Sequence, residues 1–157
     1  MVLAKVAARF EEIIALVMLR SPYLLIAAFS LTSTLFAASA FAASAEVERG
    51  RYLVEEVGKC QMCHTPKLES GEYDKTKWLK GATLDIQPIG TIKGWHKTAP
   101  DLTSTGRLFE RWKAEGIQKF MQTGLNPRGG GADAPMPTYK LNEADAKAIV
   151  EYLKTLQ

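Results

Sequence analysis

At 157 residues the chain accommodates one modest domain and little of a second core. With 46% hydrophobic and 24% charged residues, it is neither a wholly disordered chain nor a polytopic membrane protein. The formal net charge is only +3 and the basic residues are interleaved with acids, which excludes the basic stripe that a nucleic-acid binder uses to neutralise several phosphates.

The first feature in chain order is an uncharged stretch from Ser21 to Ala45. It ends in two small-residue sites, Ala38-Ser39-Ala40 and Ala43-Ser44-Ala45, of the kind signal peptidases cut. The expectation is a signal peptide over 1–45, export to the periplasm and a mature domain over 46–157. Residues 1–20 form a longer and more hydrophobic leader than a short positive n-region. A start at Met18 gives Met18-Leu19-Arg20, an apolar run from Tyr23 to Phe36 and then the cut site, which fits the three-part signal layout better. Retention as a membrane anchor is the alternative, because the stretch exceeds the about 20 residues that span a bilayer.

Beyond the leader, Val47, Gly50, Leu53, Val54 and Val57 recur at helical spacing. A glycine in such a stripe costs about 1 kcal/mol relative to alanine. It fits a close crossing with a second helix, near Ala148 or Tyr152, or else a frayed helix start.

Cys60 and Cys63 are the only cysteines and stand in Cys60-Gln61-Met62-Cys63-His64. In an exported protein a pair of cysteines ordinarily suggests a disulfide, but the adjacent histidine changes the reading. In C-x-x-C-H the thiols add across the two haem vinyl groups and the imidazole reaches the iron. Positions i, i+3 and i+4 share one face of a helical turn, so all three groups are able to meet one porphyrin. A thioredoxin-like dithiol requires an alternating α/β chain that is missing here. A zinc site lacks a second clustered donor pair.

The course of Glu69 to Lys97 is left open. Lys59, Lys67, Lys75, Lys77, Lys80, Lys93 and Lys97 outnumber the nearby acids, which suggests either steering of an acidic redox partner or a solvated surface. His96, in Gly94-Trp95-His96-Lys97, invites a second imidazole ligand, although a solvent-facing side chain is the default. Trp78, Trp95, Trp112, Tyr73 and Tyr139 are candidates for haem walls or propionate contacts, and equally for ordinary packing. A helix is predicted over Lys113–Thr123, closed by Gly124. Arg128-Gly129-Gly130-Gly131 lets the backbone approach a haem edge or forms a flexible loop. In the final helix Ala144, Ala148, Ile149, Tyr152, Leu153 and Leu156 share a stripe, Glu143, Lys147, Glu151 and Lys154 take the other side, and Asn142 serves as N-cap.

Arg49 to Lys59 leading into Cys60-Gln61-Met62-Cys63-His64-Thr65-Pro66, then Ala99-Pro100-Asp101-Leu102-Thr103, then Pro135-Met136-Pro137 and the last helix resemble the class I cytochromes c. The likeness is greatest to single-haem modules of bacterial dehydrogenase-linked and respiratory cytochromes, and it covers most of 49–156. It implies an all-α fold with crossed N- and C-terminal helices around one covalent haem c, His64 as the proximal iron ligand and Met136 as the distal one. Physical chemistry agrees on Met136. Pro135 and Pro137 deny a helix there and stiffen the loop, whereas Met121 follows Phe120 on a predicted helix, where a thioether is more often a gap-filler. Met62 is tethered on the proximal side.

The expected function is electron transfer rather than catalysis, with a dehydrogenase, a quinol-oxidising complex or a terminal oxidase as redox partner and membrane contact through that partner or an uncleaved leader. The rivals are a haem subunit fixed in a larger complex and a haem enzyme or gas sensor with an open iron position.

Overall fold

The computed structural model describes residues 43–157. Residues 1–42, on which the expected start at Met18, the apolar run and the first expected cut site fall, lie outside the described residues. Helix α1 covers 43–52 and continues into a π-helical turn, Leu53–Val57. Helix α2 is the short segment Gln61–His64, α3 is Arg107–Thr123 and α4 is Glu143–Lys154. A 3-10 turn spans Lys75–Lys77. Strands β1 (Ala82–Thr83) and β2 (Thr98–Ala99) pair antiparallel, with Ala82 opposite Ala99. The described part is thus mostly helical, with one small ribbon that the all-α expectation did not include.

Helices α1 and α4 pack at Gly50, as its place in the apolar stripe suggests. The glycine is buried, and a Cβ there would lie 1.9 Å from the Ala148 carbonyl oxygen and 2.8 Å from the Tyr152 Cβ. Only a residue without a side chain permits that approach, and Gly50 lies inside the helix rather than at a frayed start. Around the contact, Arg49 pairs with Asp145 at 2.9 Å and Lys147 with Glu46 at 2.7 Å. The core unites Leu53 and Val54 of the π turn with Ile117 of α3 and Ala148, Ile149, Val150, Tyr152 and Leu153 of α4.

Two stripes need correction. Val57 is 59% exposed, because the π turn advances more residues per turn than an α-helix and carries Val57 off the buried face. On α4, Ala144 is exposed while Ala146 and Val150 are buried, so the covered face is wider than the predicted stripe and contacts two clusters. Helix α3 begins at Arg107 instead of Lys113. Lys113 itself has φ 56° and ψ 175°, a kink inside the helix at the predicted start. Gly124 closes α3 with φ 73°, as predicted, and Asn142 caps α4 by accepting the Asp145 N–H at 2.8 Å.

The segment 69–97, whose course the sequence left open, is tied down at several points. The Asp74 N–H donates to the Pro66 carbonyl, the Gly81 N–H to the His64 carbonyl and the Leu84 N–H to the Lys97 carbonyl. Leu79, fully buried with φ 56°, donates its N–H to Thr65 Oγ1 at 2.9 Å and accepts from the Leu102 N–H. Glu55 gathers three donors from separate segments: Trp78 Nε1 at 3.1 Å, Arg51 at 3.2 Å and the Tyr152 hydroxyl.

Candidate functional site: the Cys60–His64 turn

Cys60 is the N-cap of α2 and the His64 N–H donates to its carbonyl at 2.9 Å, so the three side chains of the motif sit on a single helical turn. The turn is tied twice to the preceding π turn. The Cys60 N–H donates to the Val54 carbonyl, and Gln61 Nε2 donates to the Glu55 carbonyl at 2.8 Å. Neither cysteine is in a disulfide. Burial pushes the Cys60 thiol up to about 11, which keeps it protonated at neutral pH. That is the opposite of the depressed pKa that makes a redox-active dithiol reactive.

His64 is 4% exposed, and its Nδ1–H donates to the Pro100 carbonyl at 2.7 Å. Burial lowers its pKa, with the Pro100 bond opposing in part, so the imidazole is neutral at pH 7. A neutral ring whose Nδ1 carries the proton has its lone pair on Nε2. The donor set therefore fits c-type haem: two thiols a helical turn apart and an imidazole whose second nitrogen is fixed by an outer partner. Pro100 owes its place to the β1–β2 ribbon, since β2 ends at Ala99, one residue before it. Its role is the functional feature that residue-type reasoning missed. The only signal was that Ala99 to Thr103 took part in the resemblance.

Met136 lies in a stretch with neither helix nor strand, 131–140, where its N–H donates to the Asp133 carbonyl at 3.0 Å. Its side chain is half-buried against a cluster of Phe120, Met121 and Ala146. Met121 is 7% exposed in the same cluster and belongs to the core of α3. His96 is exposed and faces Asp133 at 3.6 Å. The aromatic candidates divide. Trp78 meets Tyr73 edge-on and bonds Glu55, and Trp112 packs edge-on against Phe120. Tyr139, by contrast, donates to the Gly58 carbonyl at 3.3 Å, beside the motif. The Arg128–Gly131 segment is exposed and organised by Asn126, which accepts from the Arg128 and Gly130 N–H groups. The lysines are partly engaged: Lys59, Lys67 and Lys77 pair with Glu56, Asp85 and Asp74, and Lys75 lies 3.9 Å from the Trp78 ring centroid.

A mostly helical fold that offers two thiols and a buried neutral imidazole on one turn defines a haem-carrying electron-transfer protein. Residues 47–157 match the cytochrome c family, and the chain belongs to it. It is 39% identical over 114 residues to a diheme cytochrome c-type protein of Cereibacter sphaeroides, covering 69% of this chain and 35% of that one. It is 32% identical over 123 residues to the gluconate 2-dehydrogenase cytochrome c subunit of Pantoea cypripedii, covering 69% of this chain and 25% of the relative. The match to the fructose dehydrogenase cytochrome subunit of Gluconobacter japonicus is 30% over 114 residues, covering 69% and 21% respectively. The chain thus resembles dehydrogenase-linked cytochrome modules and spans about a third or less of these curated relatives. Among the described residues, no helix is long and apolar enough to cross a membrane.

Proposed function

We propose that the chain is exported, loses residues 1–45 and works in the periplasm as domain 46–157, with crossed terminal helices enclosing one covalent haem c. Cys60 and Cys63 form the thioether links, His64 is the proximal ligand through Nε2 and Met136 is the distal ligand. The observation that carries this reading is the buried His64 with its Nδ1–H tied to Pro100, which fixes the tautomer an iron ligand needs. Haem iron supplies a one-electron redox couple. The protein's own part is to exclude water around His64, hold the imidazole in one orientation and present a stiff thioether from the Pro135-Met136-Pro137 loop. No substrate-transforming residue is needed for such a role.

The expected donor is a dehydrogenase, because relatives are named cytochrome subunits of gluconate, fructose and alcohol dehydrogenases. Those same names favour a second reading, a haem subunit fixed in such a complex. The exposed Lys80, Lys93 and Lys97 supply positive charge for docking, although pairing of Lys59, Lys67 and Lys77 reduces the steering field.

Optical spectroscopy on the ferric holoprotein tests the assignment. Wild type should show the thioether-to-iron absorption band and bind carbon monoxide poorly when reduced, and Met136→Ala should lose the band and bind the gas readily. A band that survives Met136→Ala removes Met136 from the site, and ready gas binding by wild type favours an open-site enzyme or sensor. Copurification with membrane proteins after detergent extraction distinguishes the fixed subunit from the diffusing carrier.

A further inference from the structure

Tyr139 stands three residues beyond Met136 and touches both halves of the site. Its ring packs in the cluster that includes Met136, Phe120 and Met121, while its hydroxyl donates to the Gly58 carbonyl at 3.3 Å. Gly58 is the C-cap of the π turn and adjoins the attachment turn so closely that a Cβ there would lie 3.2 Å from Cys60 Sγ and 3.5 Å from the Tyr139 hydroxyl. The segment around Tyr139 is fixed on its other flank as well. The Leu141 N–H donates to the Met121 carbonyl at 2.9 Å, and Thr138 lies against Gly124, where a Cβ would come within 2.4 Å of Thr138 Cγ2. Met136 and Tyr139 lie together in a stretch with neither helix nor strand. The hydrogen bond from the Tyr139 hydroxyl joins that stretch to the Cys60 side.

We propose that Tyr139 is a positioning residue for the distal ligand: its bond to the Gly58 carbonyl holds the Met136 loop against the haem-attachment turn and opposes displacement of the thioether from the iron. This rests on the Met136 reading. Loss of the bond leaves the loop held by the Ala134 carbonyl on one flank and by Thr138 and Leu141 on the other, with no tie to the attachment turn from Tyr139, so the open form that admits an external ligand becomes more populated. Because a neutral hydrogen bond contributes modestly, the expected change is about three- to tenfold in the opening equilibrium.

The experiment is a cyanide titration of the ferric holoprotein, read by disappearance of the thioether-to-iron band. Tyr139→Phe, which removes only the hydroxyl, should bind cyanide about three- to tenfold more tightly than wild type. Tyr73→Phe, on the 69–97 segment and packed edge-on to Trp78, should not differ from wild type. Unchanged cyanide affinity in Tyr139→Phe overturns the proposal. So does a lowered guanidinium midpoint with unchanged affinity, which assigns the hydroxyl to general stability alone. If wild type lacks the band, or Met136→Ala retains it, the distal-ligand reading and this proposal fall together. If the band behaves as expected and only the cyanide result fails, Tyr139 alone loses its role.

Discussion

Helices α1 and α4 meet backbone against backbone at Gly50, whereas the loop between β1 and β2 leaves Ile86, Ile89 and Ile92 on the surface, the middle one fully exposed. Both regions are rich in apolar side chains, so hydrophobicity does not separate them. What separates them is how many independent constraints meet at one atom. The Gly50 Cα is fixed by two helices and flanked by ion pairs, while the loop is fixed where Leu84 bonds Lys97 and where the His96 N–H donates to the Ala134 carbonyl. A change of one methyl group should matter greatly in the first region and little in the second.

Gly50→Ala gives the sharpest contrast, because two effects predict opposite signs. Helix propensity alone would stabilise the protein by about 1 kcal/mol, whereas a Cβ placed 1.9 Å from the Ala148 oxygen forces the helices apart. The contact should win, with a net loss of about 2–3 kcal/mol in guanidinium unfolding of the holoprotein. A gain in stability would show that the helices do not touch there.

Thr65→Val probes one tie of the 69–97 segment, the one at Leu79. It preserves shape but deprives the buried Leu79 N–H of its acceptor, and should cost about 1–3 kcal/mol by the same measurement. No loss would mean that Leu79 is held by packing alone.

Asp145 extends the comparison to pH. Its hydrogen bond with Arg49 is the largest cause holding the carboxyl below the usual aspartate range, and Asn142 adds to it. A depressed folded-state pKa gives stability that is present above the unfolded value of about 3.9 and lost as pH falls through the folded one. Asp145→Asn should therefore flatten the acid side of the stability profile, a small effect because the pair is partly exposed. An unchanged acid limb in thermal unfolding between neutral and acid pH would contradict it. Smallest of all, Ile89→Ser should alter stability by no more than about 0.5 kcal/mol, and a larger loss would reveal packing that the exposed side chain does not show.

The parts readable from sequence were those in which residue type carries the chemistry locally. Cys60-Gln61-Met62-Cys63-His64 announces its turn by spacing, Asn142 and Gly124 announce helix ends, and Gly50 stands out because a glycine in an apolar stripe needs a reason. The Pro100 carbonyl was not readable, since every residue has a carbonyl and only the β1–β2 ribbon brings this one to His64. The same holds for Tyr139 and Gly58, which are joined across 81 residues. Val57 and Lys113 departed from expectation where the backbone left ideal α geometry, in a π turn and a kink that a fixed helical period does not anticipate.

Mass analysis of the protein purified from a host that exports and matures c-type cytochromes decides whether Cys60 and Cys63 are bonded to haem. One haem mass per chain is expected, retained after denaturation and confined to the peptide containing Cys60 and Cys63. A colourless protein at the bare polypeptide mass, with those thiols free or joined to each other, would contradict it.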